Sequence, residues 1–282
     1  MSLMTADLLR RTPGVSPSLA ADRWPRRHPL ATIVAAVLAL MVAVWSVKLV
    51  GEYRGASRAR AYWSSPQGPA GGLLYVALGD STAQGVGASK PDRGYVGLLA
   101  EHLRTTTGQP VRVINLSVSG ARVQDVLDRQ IPALRNLRPD VVTVAIGGND
   151  VRAYNADAFA SRVERLTAAL PAGTFIADVP WFMHGRWERQ AQQAADVVTR
   201  SASRRGLNVV PLHRALQRRG WTAMVTDFAP DWFHPNDRGY RVWSDTFWTA
   251  ISRTPRQQGP LIMWGARPTR APRGRSAGLH AR

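Results

Sequence analysis

The sequence predicts an α/β domain of three layers, with a five-stranded parallel sheet between two layers of helices. Two observations carry this. Between residues 73 and 252, short apolar runs alternate with longer amphipathic stretches, and strands that are apolar on both faces belong in a parallel sheet covered by helices. The runs also end in segments rich in Gly, Ser and Asn, the chemistry of tight turns at strand ends.

In chain order the pattern predicts strands over Leu73–Leu78, Val111–Leu116, Val141–Ile146, Thr174–Val179 and Leu207–Pro211. Helices are expected over Tyr95–Thr107, Val123–Leu134, Ala156–Leu170, Glu188–Arg205 and about Asp237–Ile251. Such a unit needs no second domain in a chain of 282 residues.

Residues 1–29 are polar and rich in Arg and Pro and read as a disordered arm. Leu30–Val47 then carries no charge, and as a helix its length is about 27 Å, close to a bilayer core. A core helix apolar on every side is out of place so near the terminus. A signal peptide wants a shorter apolar region and a nearby cleavage site, whereas Ala59-Arg60-Ala61 lies far beyond the apolar end. Residues 30–50 are therefore expected to be a membrane anchor, and the basic residues ahead of it place the N-terminus in the cytoplasm and the bulk of the chain outside. Residues 51–72, ending in a Ser/Pro/Gly-rich run, have linker composition, and residues 255–282 read as a basic, largely disordered tail.

The net charge of +18 suggests nucleic acid until its location is examined. Residues 1–60 carry nine Lys/Arg against three acids and residues 253–282 seven against none, which leaves the middle near +5. With basicity at the ends and no zinc-finger spacing or RNP-type motif, no nucleic-acid partner is expected. The absence of cysteine excludes disulfides and thiolate metal sites.

Four segments at the ends of predicted elements carry chemistry, three directly after strands and one immediately before the last helix. Tyr75–Leu78 runs into Gly79-Asp80-Ser81-Thr82, which makes Ser81 a candidate nucleophile, although a serine here is more often a helix cap. Asn115-Leu116-Ser117-Val118-Ser119-Gly120 can bring the Gly120 N–H close to a ligand, or be an ordinary turn. Gly147-Gly148-Asn149-Asp150 places the Asn149 amide at the same rim and is equally good turn chemistry. In Asp231-Trp232-Phe233-His234-Pro235-Asn236, a carboxylate three residues before a histidine can orient the imidazole, while Asn236 can cap the last helix. Two candidate ligands do not make a metal site. His102 and His213 fall in helical segments and read as solvated or packed. His184 is a loop residue by default, with lining of the cleft as the functional alternative.

The ordered set resembles the SGNH hydrolase superfamily, the GDSL-type esterases and lipases. The likeness rests on Gly79-Asp80-Ser81, Gly120, Gly147-Gly148-Asn149-Asp150 and Asp231-x-x-His234-Pro235, and covers roughly residues 73–252. Thr82, where the GDSL name has Leu, is the one small departure. Ala83 excludes the Gly-x-Ser-x-Gly elbow of α/β-hydrolases.

The resemblance implies a flavodoxin-like sheet and a Ser81–His234–Asp231 triad. It further implies an oxyanion hole from the Ser81 and Gly120 backbone N–H groups and the Asn149 side chain. No cofactor or metal is needed. Asp80 reads as support for the turn. The expected activity is hydrolysis of an acyl ester of a small molecule, lipid or glycan by a monomeric catalytic domain. Acyl transfer to an envelope polysaccharide and a non-catalytic envelope-binding module are the alternatives. Substrate choice is expected from residues 85–93, 151–156 and 180–187.

Overall fold

The structure, a computed structural model, describes residues 29–254. All but one residue of the expected arm at 1–29, and the whole expected tail at 255–282, lie outside the described residues. The chain divides into two compact units, one ending at Leu49 and the other starting at Val50.

A helix runs over Pro29–Trp63. In the first unit its residues 29–47 have a mean hydropathy of 2.5, long and apolar enough to cross a membrane. Side chains such as Leu30, Ile33, Leu40 and Val47 are exposed.

The second unit holds a parallel sheet of β1 (Leu73–Gly79), β2 (Val111–Asn115), β3 (Val141–Ala145), β4 (Phe175–Ala177) and β5 (Asn208–Val210). The strand order is β2-β1-β3-β4-β5. Period-two alternation sends successive side chains to opposite faces, so Leu74, Val76 and Leu78 enter one core cluster and Leu73, Tyr75 and Ala77 the other. That is why β1 is apolar throughout.

On the first face the sheet is covered by the helical stretch from Val123 to Arg135 and by helices Ala156–Ala169 and Gly185–Arg204. On the second it is covered by Tyr95–Thr107 and Asp237–Arg253. There Tyr95 stacks on Phe247 with ring centroids 5.0 Å apart.

Residues 51–72, expected to be a linker, differ from that reading. They remain helical to Trp63, and Ala59 and Trp63 are buried. The Trp63 indole N–H donates to the Gln84 carbonyl at 3.0 Å. Gln67 and Val113 exchange backbone hydrogen bonds of 2.9 and 2.8 Å, an antiparallel bridge against edge strand β2. An open strand edge needs such cover, and the Ser/Pro/Gly composition hides it.

The helix predicted over Val123–Leu134 is interrupted by a π-helical stretch, Val126–Gln130. The extra residue in that turn delivers Gln130 to the end of β1. There its carboxamide accepts the Gly79 N–H at 2.9 Å and donates to the Gly79 carbonyl at 2.8 Å.

Candidate active site

β1 and β3 are neighbours, and the chain leaves β1 toward β2 on one side and β3 toward β4 on the other. The crevice beyond their carboxyl ends is the switch point at which open α/β sheets hold ligands. Asp80-Ser81-Thr82 follows β1 and Gly147-Gly148-Asn149 follows β3, so the order of strands alone brings two of the four segments together.

The first segment is pinned by its own side chains. Asp80 Oδ1 accepts the Thr82 N–H at 2.9 Å and the Thr82 hydroxyl at 2.8 Å, so the residue that departs from the GDSL name closes the turn. Burial pushes the Asp80 carboxyl above its ordinary value, against these hydrogen bonds and the nearby His234. The first and second segments are stitched together by amides. Asn115 donates to the Ala83 carbonyl at 2.7 Å, and Gln84 donates to the Ser117 carbonyl at 2.8 Å while accepting the Ser119 hydroxyl at 2.6 Å.

The last segment closes over Ser81. Asn236 caps the final helix, accepting the Arg238 and Gly239 N–H groups at 2.9 and 3.1 Å. Its amide also donates to the Thr226 and Phe228 carbonyls at 2.9 and 3.0 Å. Trp232 has φ of 59°, a left-handed conformation uncommon for a bulky residue. With the chain turned in this way, Asp231 folds back onto His234: Oδ1 accepts the Phe233 and His234 N–H groups, both at 2.9 Å, and Oδ2 lies 2.6 Å from His234 Nδ1. A carboxylate can only accept, so Nδ1 carries the hydrogen. Nε2 is then left to accept from the Ser81 hydroxyl, 2.8 Å away. Burial works to raise the Asp231 carboxyl, but the hydrogen bonds from His234 and Phe233 outweigh it and hold the group below its ordinary value.

The structure thus brings Ser81, His234 and Asp231 into one hydrogen-bonded chain, with Ser81 and His234 both buried. Gly120 follows β2 with φ of 80° and is exposed. Among the described residues, neither its N–H nor that of Ser81 has a hydrogen-bond acceptor. The Asn149 amide donates to the Ala121 carbonyl at 3.0 Å and, more loosely, to Asp80 Oδ2 at 3.3 Å. Among the described residues no group of three or more His, Asp or Glu side chains could hold a metal ion.

A cavity of about 350 Å³ opens beside Ser81 and Asn149. Two of the three loops expected to choose a substrate border it, through Arg152 and through Pro180–His184 with Trp187. His184 is therefore a cleft residue. His213 is packed, as one of its two readings had it.

The sequence reading missed the segment from Leu212 to Phe228, which supplies much of the cavity wall from two helices of only six and four residues, too short to show a period. It also missed Gly87, whose φ is 94°. A Cβ there would stand 2.7 Å from the His234 Cβ and 2.5 Å from the Pro235 carbonyl.

Solved structures share this fold. LAE5, an alpha/beta hydrolase enzyme from the metagenome of Lake Arreo, is 24% identical over 63% of this chain and 94% of its own, with a TM-score of 0.52. Axe2, an acetylxylan esterase from Geobacillus stearothermophilus, is 22% identical over 64% and 95%, with a TM-score of 0.53. A curated relative, the GDSL-like esterase Rv1075c of Mycobacterium tuberculosis, is 27% identical over 189 residues, 62% of this chain. The match spans 60% of that relative's length. The model of the GDSL-like Lipase/Acylhydrolase family matches residues 77–242, from inside β1 into the final helix and across all four segments. The chain belongs to the GDSL-like lipase/acylhydrolase family.

Proposed function

We propose that the protein is a serine esterase that hydrolyses a carboxylic acyl ester through an acyl-enzyme. The carrying observation is the His234 ring held between Asp231 at 2.6 Å and Ser81 at 2.8 Å. Ser81 Oγ attacks the ester carbonyl carbon while its proton passes to His234 Nε2. The developing oxyanion is met by the Ser81 and Gly120 N–H groups and by an Asn149 N–H that lets go of Asp80. As the tetrahedral centre collapses, the bond to the leaving oxygen breaks and His234 returns the proton to it. Water then repeats the sequence on the acyl-serine, releasing the acid. Asp231 stabilises the imidazolium that forms at each transfer and stays ionised throughout.

The same reading places the domain at the outer face of the cell membrane, held by the apolar helix. The arginines ahead of that helix support this orientation. The test uses the full chain in lipid nanodiscs. The parent is expected to hydrolyse p-nitrophenyl esters and to take up one equivalent of a fluorophosphonate on Ser81. Ser81→Ala is expected to lose both properties, and a variant that turns over as fast as the parent would sink the assignment.

A further inference from the structure

Resting on the esterase reading, we propose that the cavity beside Ser81 is an acyl-chain pocket and that the substrates are esters of fatty acyl groups of about six to ten carbons, not acetyl esters. Three observations lead there.

The first is stereochemical. A tetrahedral centre on Ser81 has its oxyanion toward Asn149 and its leaving oxygen toward His234 Nε2, which must protonate it. Only the acyl substituent remains to be placed. Ser81 and Asn149 border the cavity, and so do Phe233 and Pro235 on either side of His234, while the His234 ring itself is turned to Asp231 and Ser81 and does not line it. The cavity therefore lies on the acyl side of the reacting carbon.

The second is chemical. Ile146, Leu212, Leu216, Ala223, Phe228 and Trp243 form apolar wall. Three buried carboxylates reach the cavity and all are already engaged. Asp80 accepts the Thr82 N–H at 2.9 Å and the Thr82 hydroxyl at 2.8 Å. Asp227 is held by Arg219 at 2.8 Å and Arg238 at 3.2 Å, and Asp178 accepts the His213 N–H at 2.7 Å. A sugar ring buried against such a wall would leave its hydroxyls unpaired, which is costly, whereas a hydrocarbon loses nothing.

The third is size. About 350 Å³ holds roughly a dozen water-sized groups. An acetyl methyl occupies about one of them and leaves the rest as wet apolar surface. Each further methylene buried there is worth up to about a factor of four in kcat/KM. The acetylxylan substrate of the structural neighbour Axe2 is therefore not carried over to this chain.

The test is a chain-length profile of the full protein in nanodiscs, on p-nitrophenyl acetate, butyrate, hexanoate and octanoate. Octanoate is expected to exceed acetate at least about fiftyfold in kcat/KM. Ala223→Phe and, independently, Leu216→Trp fill the cavity and should each lower the octanoate-to-acetate ratio at least tenfold, a ratio from which expression and partial unfolding cancel. If acetate is the best ester of the parent, or the ratio is unmoved in both variants, the pocket assignment is overturned while a Ser81-dependent esterase still stands. Where neither variant turns over any ester, the profile of the parent decides. If Ser81→Ala remains active on every ester, the esterase reading itself has failed.

Discussion

His213 presents both ring nitrogens to oxygen: Nε2 lies 3.0 Å from Glu188 Oε1 and Nδ1 lies 3.0 Å from the Val179 carbonyl. A carbonyl accepts only, and so does a carboxylate. The arrangement is satisfied when both nitrogens carry hydrogen, or when the carboxyl does. The other Glu188 oxygen accepts the Phe182 N–H at 2.7 Å. Two helices and the end of β4 are thereby tied to the loop that forms one side of the cavity. Phe182 lies against Phe233, with centroids 6.5 Å apart, and Phe233 meets the His234 ring edge-on at 5.0 Å.

His213→Leu strands Glu188 Oε1 and the Val179 carbonyl in a mostly buried place. Breaking such a pair costs about 3 kcal/mol, seen as a lower midpoint in thermal unfolding. Because the loop is a wall and not a reacting group, KM for octanoate should rise several-fold while kcat on acetate changes less. His213→Gln keeps one donor for Glu188 and should recover part of both losses. Equal falls in kcat on all esters with no change in KM would refute this positioning role.

Asp231→Asn tests the orientation of His234. The amide can place its NH₂ at the position that now accepts from Nδ1, which favours the tautomer with hydrogen on Nε2 and takes the proton acceptor away from Ser81. The expected loss in kcat is on the order of 10⁴ with KM nearly unchanged. A loss under tenfold would mean that the 2.6 Å contact is structural and that another group sets the imidazole.

Much of this was legible in the sequence for a physical reason. A parallel strand covered on both faces is apolar at nearly every position, so β1 and β3 stand out as runs, and two of the four chemistry-bearing segments sit where those runs stop. Ser81, Asn149, Asp231 and His234 are legible as an ordered set, since the segments that carry Ser81 and Asn149 read singly as ordinary capping and turn chemistry. The supporting residues are not legible in this way. Gln130 reaches Gly79 only because a π-helical stretch re-aims it. Gly87 matters through the space it leaves for His234, which lies 147 positions away in the chain. The cavity wall from Leu212 to Phe228 is built from helical pieces shorter than the window in which a period can be seen. Trp63 lies in the charged stretch after the apolar span, whose composition reads as a linker, and its burial beside Gln84 is a tertiary fact.

Asp150 gives a pH signature of stability that is separate from catalysis. It is buried behind the Gly147-Gly148-Asn149 turn, and one oxygen accepts the Val123 N–H at 3.2 Å. Burial raises its carboxyl from 3.8 to about 6, partly offset by that hydrogen bond and by Arg122. A folded-state value above the unfolded one means that folding favours the protonated form. The contribution is present in full below the unfolded value and is lost as pH rises through about 6. A shift of about two units corresponds to roughly 3 kcal/mol. Asp178, also raised to about 6 by burial, carries the same sign, while Asp231 and Asp227, held low, lose their contributions in acid and mask the effect in the parent alone. The useful quantity is therefore the difference between Asp150→Asn and the parent. Asparagine keeps an acceptor for Val123 and is neutral at every pH. Measured by denaturant unfolding from pH 4 to 7.5, the variant should gain on the parent by up to about 3 kcal/mol, with the rise centred between 4 and 6 and a plateau above. A difference that stays flat across that range would show that Asp150 is ionised and compensated in the folded protein.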